Sequence, residues 1–470
     1  MLRRVRLVNF TLLVIPLVAF VSFSAAFDAK AQTAETSVPL SDPTEEIAAY
    51  DLAGHFNLSI DDARTQMSRQ SALIALSQRL AEQTDSTWAG ARIDHTHGGA
   101  LVVYTTDAAA TSEALSLDGS EYSPLVQITR VDNAFNKLQA TADEVRTELD
   151  RANVLTVGVI VDPSMNAVRV ELPTASQLSE KKLSATTTYS TATSILKPYP
   201  DVQISYDGGA LDPASCHTGY ELCSPPLRGG IEIKSDNGHF CTGGLVVRSV
   251  TDYKLYLLTA GHCVDPNAGG SGLTSRWYTG FPDLSKHYIG SGWNYTPVNR
   301  PYWDAAILQI ENPTGPSSWG LPVHSQVLVV ESGGTRPTVR DETYSIDAVG
   351  DNCTGCGGHP IPQDSYLCWT GSTYQTDCGR FDGTSGNEGL LNIDNFGPCT
   401  GDSGGPVYAS HVAYGIFVAY KKTTTINTTG WRYFSPNLTV GCAGYNAGKD
   451  AMYYQGLGTS LRALNVELVP

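Results

Sequence analysis

All ten cysteines of this 470-residue chain lie between Cys216 and Cys442, and the first 215 residues contain none. An even number of cysteines in an exported chain is typical of disulfides. Cys353 and Cys356 have the spacing of half a zinc site, but no second such pair or histidine pair accompanies them. We therefore predict disulfides, no metal and no other cofactor. The two halves of the chain therefore differ in cysteine content, and the C-terminal half is the one suited to an oxidising compartment.

The N-terminus has the three-part design of a secretory signal peptide. Three arginines within the first six residues precede an apolar run over residues 7–23, and small residues follow it. We assign the signal peptide to residues 1–31, with cleavage after residues 24–26 as the alternative. A membrane anchor would need about 20 apolar residues, and polar residues and a proline interrupt this run. We predict a protein that is secreted to the extracellular space and does not span a membrane.

The charge of the chain argues against two classes of partner. Its formal net charge at pH 7 is −16, and only 17% of its residues are charged. A strongly negative protein is not attracted electrostatically to nucleic acid or to anionic lipid. We predict no nucleic-acid partner and no membrane partner, and we expect a monomer.

Residues 32–205 are predicted to form a cysteine-free α+β region. Apolar residues at helical spacing predict helices at Pro43–Phe56, after a capping residue at Ser59, and from Phe135 onward. Alternating patterns predict two β-hairpins, one around His97 and one around residues 163–166.

Two further features of this region have simple interpretations. His95 and His97 are predicted to be surface turn residues rather than metal ligands. From about residue 174 to about residue 209 the composition shifts to Ser, Thr, Lys and Pro. Such a composition predicts a linker or exposed connection, which a protease could cut without disturbing a core.

From about residue 208 the chain changes to short β-prone runs separated by Gly, Pro, Asn and Asp turns. Helical periodicity is nearly absent until Ser460–Leu464. This pattern predicts an all-β domain, an antiparallel barrel or sandwich. The predicted strands are Gly230–Lys234, Phe240–Val247, Lys254–Thr259, Ala305–Ile310, Val327–Val330, Val412–Tyr420 and Gly430–Phe434.

The segment Gly401–Pro406 has the sequence of a tight turn that exposes a serine. Ser403 lies between glycines, which tolerate backbone conformations and close contacts that other residues do not. Backbone N–H groups in such a turn can converge on one point, as an oxyanion hole requires. A serine alone is a poor nucleophile, so a base and a group that orients it must come from elsewhere in the chain.

His262 and Asp304 are the candidates for those two roles. His262 follows an apolar strand, where a turn would present it to a cleft. Asp304 enters an apolar strand, and a buried carboxylate is costly unless it is hydrogen-bonded. Holding an imidazole N–H would satisfy Asp304 and would fix the tautomer of the base.

The order of these residues excludes one alternative fold. The Gly-x-Ser-x-Gly pattern at residues 401–405 also fits the nucleophile elbow of α/β-hydrolases, in which an acid and then a histidine follow the serine. The histidine that follows Ser403 is His411, only eight residues on, which is too close for that topology. The observed order of His262, Asp304 and Ser403 is that of chymotrypsin-like enzymes.

These motifs resemble the chymotrypsin-fold serine proteases. Thr259–Cys263 and Gly401–Pro406 are similar to the histidine and serine motifs of that family, and the chain most resembles the bacterial streptogrisin and alpha-lytic protease group. The loop from Cys368 to Cys378 is similar to a small disulfide loop of that group. Trp88–Asp94 is similar to part of its pro-region.

The resemblance implies a domain organisation and a fold. Residues 206–470 would be a protease domain of two six-stranded antiparallel β-barrels, with the catalytic triad between them. Residues 32–205 would be a pro-region that assists folding and then inhibits the enzyme until it is removed. The substrates would be proteins and peptides.

The resemblance also implies disulfide pairings. The implied bonds are Cys241–Cys263, Cys368–Cys378 and Cys399–Cys442. Four cysteines are extra to the family pattern, and we predict the local bridges Cys216–Cys223 and Cys353–Cys356, although four cysteines allow three pairings.

For the site, the resemblance implies that Ser403 is the nucleophile, His262 the base and Asp304 its orienting acid. The backbone N–H groups of Gly401 and Ser403 would form the oxyanion hole. The residues of the specificity pocket would be Gly397, Val418, Ala419 and Tyr420. Gly397 offers no acidic floor, so a preference for Lys or Arg is not expected.

One departure from the group concerns Asp402. Relatives place an arginine after the first cysteine of the small loop, where it pairs with this aspartate, and here the residue is Trp369. A rival interpretation of the whole chain is a non-catalytic secreted binding protein on a protease fold. Such proteins usually lose a triad residue, and all three are present here.

Overall fold

The structure is a computed structural model that describes residues 40, 42–152, 154, 158–180, 182–208, 210–213, 227–280, 286–296, 304–311, 325–329, 342–350, 361–372, 375–385, 388–393, 399, 401–422, 425–428, 440–443 and 450–469. Outside these residues lie the predicted signal peptide, the predicted strand Gly430–Phe434, Gly397, and the cysteines 216, 223, 353 and 356. Within them, every helix is too short or too polar to cross a bilayer.

The N-terminal region, residues 32–205, and the short segment after it contain six helices and seven strands in their described parts. In chain order these elements are α1 (Pro43–Phe56), α2 (Ile60–Gln83), β1 (Trp88–Asp94), β2 (Ala100–Thr105), α3 (Ala108–Asp118), β3 (Val126–Arg130), α4 (Phe135–Arg151), β4 (Gly158–Asp162), β5 (Ala167–Pro173), α5 (Ala175–Glu180), α6 (Ala185–Leu196), β6 (Val202–Gly208) and β7 (Ala210–Pro213).

The three predicted helices of this region, α1, α2 and α4, begin where the sequence predicts them. Ser59 caps α2, because its hydroxyl accepts a hydrogen bond from the Asp62 N–H at 3.1 Å. Asp42 caps α1 in the same way, and α1 ends at Asn57, which has a positive φ of 51°. The hairpins β1–β2 and β4–β5 also form as predicted.

The segment predicted to be a linker differs from that prediction. Between about residue 174 and residue 208 the structure contains α5, α6 and β6. Ser184 caps α6, and Ala192 and Leu196 on one side of that helix are buried. Strand β6 pairs in parallel with β5. Tertiary packing orders this segment although its composition resembles that of a loop.

The C-terminal region is rich in strands. In chain order these are β8 (Glu232–Ser235), β9 (Phe240–Thr242), β10 (Val246–Ser249), β11 (Leu255–Thr259), β12 (Arg276–Gly280), β13 (Lys286–Tyr295), β14 (Ala306–Gln309), β15 (Ser325–Val329), β16 (Glu342–Ile346), β17 (Ala348–Val349), β18 (Tyr366–Gly371), β19 (Gln375–Ser385), β20 (Glu388–Ile393), β21 (Pro406–Ala409), β22 (Val412–Lys422), β23 (Thr425–Thr428), β24 (Val440–Ala443), β25 (Asp450–Gly456) and β26 (Val466–Leu468). Helix α7 (Leu457–Leu464) precedes β26.

Two large sheets contain most of these strands. The first has the order β26-β10-β11-β14-β13-β12-β8-β9. The second has the order β18-β21-β22-β25-β20-β19-β4-β5-β6, with β7 and β17 also paired to β22. The β-rich prediction is confirmed for this region, and its arrangement as two six-stranded barrels stays a prediction.

The second sheet joins the N-terminal and C-terminal regions. Strand β4 pairs with β19 through Val161 and Thr384, so strands from both regions form one sheet. Residues from Pro39 onward group into one compact unit. Leu52 and Met67 of the N-terminal helices belong to the same buried cluster as Tyr366 and Cys368. The two regions therefore share a core.

His95 differs from its prediction as a surface residue. Its side chain is buried, with Nε2 2.8 Å from the Asp364 carbonyl oxygen and Nδ1 2.8 Å from the side-chain amide of Gln66. Its ring also contacts Tyr366. His97 is exposed and lies 2.8 Å from the Asp94 carboxylate. The sequence pattern marked a turn at both histidines, and only packing against Asp364 and Tyr366 buries one of them.

Candidate active site

His262 is held in a short turn at the end of an apolar strand. Strand β11 ends at Thr259, and a single 3₁₀ turn follows at Gly261–Cys263. The neighbouring Cys263 forms a disulfide with Cys241, the middle residue of β9. The turn is therefore tied on one side to β11 and on the other to β9, and the His262 side chain is 6% exposed.

Asp304 lies two residues before the start of β14, which is the partner of β11. Because Ala306 pairs with Thr259, the start of β14 lies beside the turn that holds His262. The Asp304 carboxylate is fully buried. It accepts a hydrogen bond from the His262 backbone N–H at 2.8 Å and lies 2.9 Å from Nδ1 of the ring. Such bonds offset the cost of burying this charge.

Ser403 lies in the turn that the sequence predicted. Gly401 and Gly404 have φ angles of +104° and +92°, in the region that favours glycine. A Cβ at Gly404 would lie 2.2 Å from the Thr259 hydroxyl oxygen, so the turn packs against β11 without space for a side chain. The Ser403 Oγ lies 2.9 Å from His262 Nε2.

The three side chains form one continuous chain of contacts. With Asp304 accepting from Nδ1–H, His262 presents the lone pair of Nε2 to the Ser403 hydroxyl. An imidazole held in this tautomer can remove the hydroxyl proton as the oxygen attacks a carbonyl carbon. All three residues are buried, which strengthens the electrostatic interactions among them.

Comparison with protein families identifies the C-terminal part of the chain. Residues 218–435 match the protein-family model for Trypsin. The chain contains a trypsin-family serine protease domain. This family makes the protein a serine-type endopeptidase, and the prediction of a chymotrypsin-fold serine protease is confirmed. Placement nearest to the streptogrisin and alpha-lytic protease group stays a prediction.

Among solved structures, the chain is similar to a glutamic acid-specific serine protease that uses a histidine triad in substrate binding. The identity is 18% and the TM-score 0.32, covering 52% of this chain and 100% of that one. It is also similar to Nocardiopsis protease, at 19% identity and a TM-score of 0.31, covering 52% of this chain and 98% of that one. No curated protein matches the chain.

The protease domain contains two of the predicted disulfides within the described residues. These are Cys241–Cys263 and Cys368–Cys378. Cys399 is also disulfide-bonded. Its predicted partner Cys442 lies in β24, and the side chain of Cys442 is outside the described part of the structure. The predicted local bridges Cys216–Cys223 and Cys353–Cys356 also lie outside it.

Asp402 of the protease domain is buried beside the end of β18. Its carboxylate accepts a hydrogen bond from the Cys399 backbone N–H at 2.7 Å. A Cβ at Gly371 would lie 2.3 Å from the Asp402 carboxylate, so a glycine is needed there for the close approach. Trp369, at the position where relatives carry an arginine, is fully buried in an apolar cluster with Phe381. A backbone N–H thus bonds the Asp402 carboxylate, and the residue at position 369 packs in the core.

The structure describes the side chains of two predicted pocket residues, Val418 and Ala419. Val418 and Ala419 are buried in β22. Tyr420 belongs to the same strand, but its side chain is outside the described part, as is Gly397. Strand β7 pairs antiparallel along β22, with Ala419 opposite Pro213 and Tyr420 opposite Asp212.

Two polar residues near the serine turn were missed from the sequence. The hydroxyls of Thr242 and Ser372 lie within hydrogen-bond distance of the Gly401 carbonyl oxygen. Each stands next to a recognisable motif, Thr242 after Cys241 and Ser372 in the small disulfide loop. Their sequence positions show no link to Gly401, which lies 159 residues after Thr242.

Proposed function

We propose that this protein is a secreted serine endopeptidase, made with a signal peptide and a pro-region, that uses Ser403, His262 and Asp304 as its catalytic triad. The observation that carries the proposal is the unbroken contact path from Asp304 through His262 to Ser403, with distances of 2.9 Å at each step. The trypsin-family domain supports the same chemistry.

In the proposed mechanism, Ser403 Oγ attacks the carbonyl carbon of a peptide bond while His262 Nε2 takes the hydroxyl proton. The tetrahedral intermediate then expels the amine, which receives that proton from His262 and leaves an acyl-enzyme on Ser403. Water, deprotonated by His262, hydrolyses the ester. Asp304 holds the ring and stabilises its protonated form.

The developing negative charge on the carbonyl oxygen needs hydrogen-bond donors. The backbone N–H groups of Gly401 and Ser403 are the proposed donors. Loss of one such donor in enzymes of this mechanism costs roughly 3–4 kcal/mol of transition-state stabilisation.

A peptidyl phosphonate labelling experiment tests the proposed function. The mature protein should react with the phosphonate in a one-to-one ratio, and mass mapping should locate the adduct on Ser403. Reaction should be suppressed by prior incubation with a cleavable peptide substrate. A protein that reaches the medium intact but neither reacts nor cleaves a peptide library would instead support the rival, a non-catalytic binding protein.

We also propose that residues 32–205 act as an intramolecular inhibitor. Strand β7 follows this region and pairs with Ala419–Lys422 of β22, which includes the predicted pocket residues Ala419 and Tyr420. A substrate in extended conformation and β7 would compete for the same backbone groups of that strand. Because β7 lies after residue 205, this pairing supports an enzyme that stays blocked until β7 is displaced together with the region.

For localisation and specificity we propose an extracellular enzyme that does not prefer Lys or Arg. The disulfides of the protease domain fit an oxidising compartment. The N-terminal arginines and apolar run fit export. Position 397, at the expected base of the pocket, is a glycine and offers no charge to a basic side chain.

The buried His95 predicts a pH dependence of the contact between the two regions. Burial lowers the pKa of His95 to about 4, because charging the desolvated ring is costly. The unfolded chain therefore binds a proton below its ordinary pKa of 6.5 while the folded chain does not. The contribution of His95 to the free energy of unfolding is complete above about pH 6.5. As the pH drops toward 4, this contribution falls by roughly 3 kcal/mol.

The test is the thermal midpoint of the inactive full chain, carrying Ser403→Ala, between pH 7.5 and pH 4.5. A second variant adds His95→Gln, which keeps a polar side chain but cannot titrate. The difference in stability between the two chains should shrink or reverse as the pH falls. Equal pH dependence in both would contradict the prediction.

A further inference from the structure

The carbonyl group of Gly401 has an unusual environment for a residue in a catalytic turn. Its oxygen lies 2.7 Å from the Thr242 hydroxyl and 3.2 Å from the Ser372 hydroxyl. Both side chains are buried, Thr242 completely and Ser372 with 3% exposed. A buried carbonyl normally finds one backbone partner, and here two side chains from different parts of the fold converge on it.

The hydrogens of these hydroxyls can be assigned by counting. The Ser372 backbone N–H donates to Thr242 Oγ1 at 2.9 Å, so this oxygen already accepts one bond. Each hydroxyl has one hydrogen. The shortest contact with Gly401 is that of Thr242, so its hydrogen goes to the carbonyl. The Thr242 hydroxyl also lies 2.8 Å from Ser372 Oγ, and if it donates there, the Ser372 hydroxyl donates to Gly401 instead. We take Thr242 as the principal donor because its contact with the Gly401 carbonyl is the shorter one.

The two hydroxyls come from the two large sheets. Thr242 ends β9 of the first sheet, and Ser372 directly follows β18 of the second. The backbone of Thr242 also contacts the catalytic turn, because its N–H donates to the Ser403 carbonyl oxygen at 2.7 Å. The turn is thus anchored from both sheets at the residues that carry the proposed oxyanion donors.

Gly401 needs such an anchor. Its φ of +104° lies in a region that glycine enters freely and leaves freely. Rotation of the backbone at Gly401 would turn its N–H away from a bound carbonyl. Fixing the Gly401 carbonyl restricts this rotation, since it holds one of the two rigid peptide planes that meet at Gly401 and leaves only φ and ψ to reorient the other, which carries the N–H. The anchor therefore preorganises one of the two oxyanion donors.

We propose that Thr242 is a positioning residue for the oxyanion hole, with Ser372 supporting it, and this rests on the proposed function of the site. Thr242 touches neither substrate nor the proton path, and it acts through the Gly401 carbonyl. Its removal should weaken the stabilisation of the transition state and leave substrate binding in the ground state almost unchanged.

Kinetics of Thr242→Val test the proposal, because valine keeps the branched shape of threonine and lacks the hydroxyl. Each variant is expressed as the full chain, and active sites are counted with the peptidyl phosphonate. We expect kcat to fall about 10- to 100-fold, less than the loss of an oxyanion donor itself, with KM changed less than about twofold. Thr242→Ser should recover most of the rate, and Ser372→Ala should lose only a few-fold.

The inhibition constant of a peptide aldehyde is a second measurement, and it should stay unchanged if Thr242 has only a structural role. The adduct of the aldehyde with Ser403 places an oxyanion in the hole, so the inhibition constant should rise by about the factor lost from kcat/KM. An unchanged kcat in Thr242→Val, an unchanged aldehyde affinity, or a Thr242→Ser variant no better than Thr242→Val would each overturn the proposal. A wild-type protein inert to the phosphonate would instead refute the proposed function itself.

If Thr242→Val fails to fold, Thr242→Ser combined with Ser372→Ala supplies the remaining comparison. This double variant keeps one hydroxyl at position 242 and removes its supporting one, so the rate should fall below that of Thr242→Ser alone. Equal rates for these two variants would contradict the supporting role of Ser372.

Discussion

Replacing Ser403 by alanine is expected to lower kcat for peptide hydrolysis by about 10⁶-fold, leaving only the rate that binding and the oxyanion hole supply. Ser403 Oγ is the atom that would form the acyl-enzyme, and its 2.9 Å contact with His262 is what would make it nucleophilic. The measurement is steady-state kinetics on a fluorogenic peptide, with protein purified free of host proteases.

Two further variants make this result specific. Ser410→Ala changes a serine only seven positions along the chain, in the turn between β21 and β22, and should leave kcat nearly unchanged. Asp304→Asn should lower kcat by about 10⁴-fold, because an amide in place of the carboxylate would favour the wrong tautomer of His262. Full activity in Ser403→Ala would refute the proposed triad.

Removing residues 32–205 is expected to abolish recovery of active enzyme from the denatured state. Strand β19 would lose its pairing with β4, and the buried core would lose the apolar side chains of α1 and α2. A β-rich domain with many long-range pairings folds slowly, so losing a preformed neighbouring surface raises a barrier that is already high. The measurement compares the activity recovered after refolding of residues 206–470 alone with that of the full chain.

Addition of residues 32–205 as a separate chain should restore folding and then inhibit the product. The Arg169 guanidinium, which contacts the Asp382 carboxylate of β19 and lies 3.0 Å from Asp162, offers a matched test. Removing one member of this partly buried ion pair leaves an uncompensated charge on its partner. Arg169→Ala in the added chain should therefore rescue less efficiently. Spontaneous refolding of residues 206–470 to full activity would contradict the folding role.

The proposed roles of residues 32–205 follow from contacts that no local pattern contains. The helix and hairpin patterns of this region predicted its elements, but not that β4 would extend a sheet of the protease domain. His95 and Arg169 looked like ordinary turn and strand residues. Both lie against residues more than 200 positions away in the sequence, His95 at Asp364 and Arg169 at Asp382.

What the sequence by itself determined is the set of features that depend on short segments and on their order. The turn around Ser403, the strand before His262 and the aspartate at the start of a strand at Asp304 are local, so a single sequence shows them. Their order along the chain is enough to exclude the hydrolase elbow, because that topology requires its histidine well after the serine.

Tertiary structure decided the features that depend on packing between distant segments. It ordered α5 and α6, where composition predicted a linker, because burial outweighed weak helix propensity. It packed Asp402 closely against Gly371, and it brought Thr242 to the Gly401 carbonyl. Each of these features depends on which distant segments come into contact. The local sequence around each residue does not predict the free energy of such contacts.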